Sequence, residues 1–184
     1  MGGNDRLASK LNFAFEKSAA SDFLFGYVSY ANQPGCSNAH VFSHAGKPWL
    51  TQYWVRRVKE QAYGAVTPDR GYGGHDEDQG QMGGVSSLMA IGLFALDGGS
   101  SRDPQYDITS PVFDEVTISL DTDYYKGKTF KIKTYNNSAA NCYIQRARLN
   151  GKEYNSFRIP HAVFSDGGLL ELWMGDTPNK AWGK

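Results

Sequence analysis

A glycine-rich break at Asp97-Gly98-Gly99-Ser100-Ser101 separates two hydrophobic periods that one regular layer cannot satisfy together. Before it, apolar residues recur at helical spacing. Leu7, Leu11, Ala14 and Phe15 predict a first helix from Asp5 to Lys17 with Asn4 as its cap. Trp49, Tyr53, Val55, Val58 and Ala62 predict a second, starting at Pro48 and ending before Gly64. A third should run from about Gln79 to Leu96. Its apolar residues fall on two faces, Met82, Val85, Met89 and Leu96 on one and Leu88, Ile91 and Ala95 on another, so it should be buried. Gly83, Gly84 and Gly92 each cost about 1 kcal/mol relative to alanine, so neighbours must hold it.

After the break the pattern alternates. Val116, Ile118 and Leu120, then Phe130, Ile132 and Thr134, then Ile144 to Leu149, then Leu170, Leu172 and Met174 read as strands. Asn150-Gly151 marks a hairpin turn. The class is therefore α+β, with a helical part over residues 1–100 and an antiparallel β segment over 101–184. A few helices cannot close a core alone, so the two parts should pack on each other.

Nineteen basic and nineteen acidic residues cancel, and no run of Lys or Arg offers a footprint for nucleic acid or an anionic membrane. No stretch approaches the roughly 18 apolar residues of a membrane span. Met1-Gly2-Gly3-Asn4-Asp5-Arg6 has no apolar core, so no signal peptide is expected. Cys36 and Cys142 are expected as free thiols, and His40, His44, His75 and His161 are not spaced as a zinc site.

Chemistry concentrates in Gly74-His75-Asp76-Glu77-Asp78-Gln79-Gly80-Gln81-Met82. Asp76 and Asp78 stand two residues apart, so in an extended segment both carboxylates face one side. Three roles suit such a pair: a calcium loop, a base that activates water, or an acidic helix cap, with Asp78 well placed as the cap of the third helix. The EF-hand fails on spacing, since its fifth, sixth and twelfth positions would be Gly80, Gln81 and Ser87. Gly71-Tyr72-Gly73-Gly74 lacks the lysine of a phosphate loop. Asn32-Gln33-Pro34-Gly35 reads locally as a turn.

The acidic segment resembles the catalytic-base motif of glycoside hydrolase family 92, calcium-dependent exo-acting alpha-mannosidases that invert the anomeric centre. Further matches follow in the same order: Tyr30-Ala31-Asn32-Gln33-Pro34-Gly35, His44 to Gln52, Ala90 to Phe94 and Thr109 to Asp114. Because members are several times longer, the resemblance implies a carboxyl-terminal portion: the last helices of an incomplete (α/α)6 toroid followed by strands. It implies Asp78 as base with Asp76 in support, and Asn32, Gln33 and His75 near the sugar. Calcium would be held by Asn32, Gln33 and Asp78, and the substrate would be a terminal alpha-mannoside of a mannose-containing glycan, as for an alpha-1,2-mannosidase. Many members carry Glu at the position of Gln33. The general acid belongs to the amino-terminal portion of such an enzyme, so this chain alone should be inactive. The other implied reading is a non-catalytic carbohydrate- or calcium-binding remnant.

Overall fold

The computed structural model describes residues 2–67 and 78–184, with Asp78 described by its backbone only. Five helices lie among these residues: α1 (Gly3–Ser18), α2 (Val41–His44), α3 (Pro48–Gln61), α4 (Gln81–Ile91) and α5 (His161–Ser165). Eight strands accompany them: β1 (Leu93–Phe94), β2 (Gln105–Ile108), β3 (Glu115–Ser119), β4 (Thr129–Tyr135), β5 (Tyr143–Leu149), β6 (Lys152–Glu153), β7 (Arg158–Pro160) and β8 (Gly168–Gly175). The helical and alternating stretches of the sequence thus fold as an α+β chain.

The helical core is built around Phe15, which is fully buried. Its ring meets Phe23, Tyr30, Phe42 and Trp54 at centroid distances between 5.0 and 6.3 Å. Pro48 opens α3 as expected, its missing N–H costing nothing in the first turn. From α3, Trp54, Val55 and Val58 point into this core.

The strands form two sheets. A three-stranded antiparallel sheet runs β1-β2-β7, and a five-stranded sheet runs β3-β4-β8-β5-β6. Alternate residues of the larger sheet, Phe130, Ile132, Ile144, Leu170, Leu172 and Met174, make a second core. Asn150 and Gly151 both have positive φ in the β5–β6 turn, the conformation that an Asn-Gly hairpin supplies cheaply. Trp182 is buried and donates to the Tyr154 carbonyl, so the carboxyl-terminal tail is tethered.

Several details differ from the sequence expectation. α1 begins at Gly3 with Gly2 at its cap (φ 90°), so Asn4 lies inside the helix, and Leu7 is exposed. On α4 Leu88 is exposed, so the second apolar face of that helix is only partly buried. The larger sheet is mixed, because β4 and β8 pair in parallel, Phe130 opposite Gly168 through Tyr135 opposite Trp173. The third helix stops at Ile91: Gly92 takes φ 86°, and Leu93–Phe94 leaves as a strand paired with Asp107 and Ile108. Nor does Asp78 cap α4. It begins a separate turn, Asp78–Gly80, in which Gln79 (φ 60°) breaks the helical path, and Gly80 caps α4 in a left-handed conformation (φ 93°).

The seam between the parts is polar and runs along α3. Gln52 accepts from the Ile144 N–H at 2.9 Å, and Tyr53 stacks on Tyr143. Arg56 donates to the carbonyl and hydroxyl of Ser110 at 3.1 and 3.0 Å and to the Asn137 side chain. Burial lowers the proton affinity of Arg56, yet these acceptors satisfy its donors.

Candidate functional site

Asn32 has extended backbone (φ −150°, ψ 154°), and its side-chain oxygen accepts from the Gln33 N–H at 2.7 Å. That hydrogen bond starts a tight turn over Gln33–Gly35 with Pro34 in it. The turn closes so tightly that a Cβ on Gly35 would overlap the Ser29 carbonyl oxygen, so no other residue fits there. Asn32 and Gln33 are left exposed on the outer side, while Gly35 and Cys36 face inward.

Buried contacts fix where this turn sits. Tyr30 is fully buried, and its hydroxyl accepts from the Ala39 N–H at 2.9 Å. Burial raises its pKa far above the ordinary phenol value, so it stays neutral. Just after α3, Tyr63 donates to the Tyr30 carbonyl at 2.6 Å, and its oxygen lies 3.6 Å from the Met82 sulfur. The Cys36 thiol is 3.7 Å from the Asn32 carbonyl and 3.8 Å from the same sulfur. Met82 is the second residue of α4 and stands four positions after Asp78. The Asn32–Gln33 turn is therefore braced against the amino-terminal end of α4, the end that leads back to Asp78.

Asp76 and His75 lie outside the described residues, as does the side chain of Asp78. What the structure brings together is the Asn32–Gln33 turn and the first turn of α4 at Met82. Among the described residues no group of three or more His, Cys, Asp or Glu could hold a metal ion. A cation here would need amide oxygens and the acidic segment. The exposed Asn32 oxygen retains a lone pair beyond the one used by the Gln33 N–H, and hard oxygen donors of this kind suit calcium.

A second polar cluster escaped the sequence reading. Asp107 on β2 is 3% exposed and accepts from the His44 Nε2–H at 2.6 Å, while Arg158 on β7 donates to His44 Nδ1 at 2.7 Å. These partners assign His44 the Nε2–H tautomer. The three residues border a cleft of about 390 Å³ together with Asp97 and Asp103. Leu96 and Asp97, which follow α4 and β1, also line this cleft, and none of the residues of the Asn32–Gln33 turn does. Nothing local could have revealed the cluster, since its members are 63 and 51 positions apart.

Residues 1–176 match the glycosyl hydrolase family 92 catalytic domain. A protein described as an uncharacterized secreted glycosidase, from Arthroderma benhamiae, is 30% identical over 185 residues, which is 100% of this chain and 22% of that protein. Among solved structures, a family GH92 inverting mannosidase from Bacteroides thetaiotaomicron VPI-5482 is similar with a TM-score of 0.84 and 30% identity, covering 100% of this chain and 26% of that one. A GH92 alpha-mannosidase from Bacteroides thetaiotaomicron gives a TM-score of 0.76 at 26% identity, covering 86% of this chain and 20% of its own. The chain thus spans about a quarter of the length of the proteins it resembles.

Proposed function

Since the chain belongs to glycosyl hydrolase family 92, we propose that it carries the catalytic-base and calcium-binding part of an inverting alpha-mannosidase site. The observation that carries this reading is the bracing of the Asn32–Gln33 turn against the start of α4 through Tyr63 and Met82, because it draws two distant segments of the sequence to one place. In this reading Asp78 removes a proton from the attacking water, and Asp76 beside it raises the proton affinity of the pair, as two close carboxylates do. His75, Asn32 and Gln33 line the approach to the sugar. Calcium, held by Asn32, Gln33 and Asp78, would contact mannose hydroxyls and favour distortion of the ring.

Inversion needs a second carboxyl about 6.5 to 9.5 Å from the base, on the opposite face of the sugar, to protonate the leaving oxygen. In this proposal that acid is supplied by the rest of the catalytic domain, which also completes the helical toroid. Leu7, Phe13, Phe25 and Tyr27 support a covered state: they are large, apolar and exposed, Phe25 and Tyr27 each at 73%, and Phe13 and Tyr27 touch. The substrate is a terminal alpha-mannoside of a glycan, of the alpha-1,2 type.

The test is a chimera joining this chain to the amino-terminal portion of the similar inverting mannosidase. Calcium-dependent release of mannose with inverted configuration is expected. A folded chimera that binds calcium and mannose without turnover would contradict the enzymatic reading and leave a binding remnant.

A further inference from the structure

We propose that Tyr63 is a positioning residue whose hydroxyl sets the spacing between the Asn32–Gln33 turn and the segment that carries Asp78. The inference rests on the reading that these two segments serve one site. Tyr63 stands where three pieces of chain meet. Its hydroxyl donates to the carbonyl of Tyr30, two residues before Asn32, and its oxygen is 3.6 Å from the sulfur of Met82, four residues after Asp78. Tyr63 itself follows the last turn of α3, with its ring edge-on to Tyr30 at 6.2 Å. Cys36 closes the bracket from the other side of the turn, reaching both the Asn32 carbonyl and the Met82 sulfur.

All four side chains are buried: Tyr30 and Met82 fully, Cys36 and Tyr63 at 4% exposure. The Tyr30 carbonyl is therefore out of reach of water unless the chain moves. Removing the Tyr63 hydroxyl leaves that carbonyl without its donor, and a buried acceptor without a partner is relieved by shifting the backbone that bears it. The backbone that shifts is the strip leading into Asn32. Functional side chains must be held to within about 0.5 Å, and a site loosened by about 1 Å loses much of its grip on a ligand. Groups that act behind metal ligands typically change metal affinity by about 10- to 100-fold when removed.

The spacing is measured directly by spin labels on Gln33→Cys and Gln81→Cys, both exposed positions, in the full chain without calcium. The parent protein should give one narrow distance. Tyr63→Phe, which keeps the ring, should broaden the distribution and displace its mean by about 1 Å or more. Phe42→Leu, which loosens the core beside Phe15 away from the bracket, should lower stability and leave the distance unchanged. Should Tyr63→Phe fail to fold, Met82→Leu carries the same test and should also broaden the distance.

In unlabelled protein, calcium chloride titrated calorimetrically should bind Tyr63→Phe about 10-fold or more weakly than the parent, while Asp78→Asn should abolish binding. Distances that coincide in Tyr63→Phe and the parent, or that broaden as much in Phe42→Leu, overturn the positioning role. Unchanged calcium binding in Asp78→Asn would instead overturn the reading of the site, and the label distances would still decide the role of Tyr63.

Discussion

Replacing His40 by phenylalanine flattens the acid limb of the stability curve. His40 is fully buried, lies face to face with Phe94 at 3.7 Å and 4°, and neither ring nitrogen has a hydrogen-bond partner among the described residues. Burial first, and the proximity of His44 second, hold its pKa down to about 3 from the ordinary 6.5. The sign follows from which state binds the proton. Below pH 6.5 the unfolded chain protonates this imidazole while the folded chain does not until about pH 3. The stability contribution is therefore complete above pH 6.5 and is lost as pH falls through that window. The slope approaches about 1.4 kcal/mol per pH unit for one proton. Between pH 6 and pH 4 the loss is about 2 to 3 kcal/mol, a large part of the 5–15 kcal/mol that holds a typical domain. Urea midpoints across pH should thus fall more steeply for the parent than for His40→Phe. Parallel slopes would mean that the imidazole finds a proton-binding partner inside the fold.

In the chimera described above, Asp78→Ala should lower turnover by about 10²- to 10⁴-fold, the usual contribution of a positioned base. The loss should appear in kcat, because the carboxylate takes the proton only as the bond to water forms, and in a raised KM as well, because the same carboxylate would hold the calcium that contacts the mannose hydroxyls. An activated leaving group should not rescue it, since such a group relieves the need for an acid and leaves the attacking water as weak as before. Asp76→Ala should cost less than Asp78→Ala. Equal rates for Asp78→Ala and the parent would assign the base elsewhere.

Much of this architecture was legible because it is periodic. The stripe of α3, the Leu11, Ala14 and Phe15 part of the α1 stripe and the alternation of β4 and β8 follow from one side of each element facing a core, while Leu7, predicted on the same stripe, is exposed. Asn150-Gly151 and Pro48 announced their turn and helix start through backbone constraints that are local. The end of α4 was not legible: the apolar run from Ile91 to Leu96 suits a buried helix and a buried strand equally, and pairing of Leu93 with Ile108 decided it. The parallel pairing of β4 with β8 likewise depends on a partner some forty positions away. For the site, Asn32 and Gln33 announced a turn, and the structure places that turn beside the helix that follows Asp78. Tyr63 and the cluster of His44, Asp107 and Arg158 were invisible, since each acts only through residues brought near by folding.

The central claim is that this chain holds the base side of a mannosidase site and depends on a general acid from elsewhere. The direct measurement is release of the phenol from an activated aryl alpha-mannoside by the purified chain, with and without calcium, beside its Asp78→Ala variant. The account predicts no turnover above background in any of these: the activated leaving group spares the acid, but the walls of the pocket that position the sugar against the base come from the rest of the catalytic domain. Calcium-dependent turnover that Asp78→Ala abolishes would contradict it and show that the chain assembles a complete site by itself.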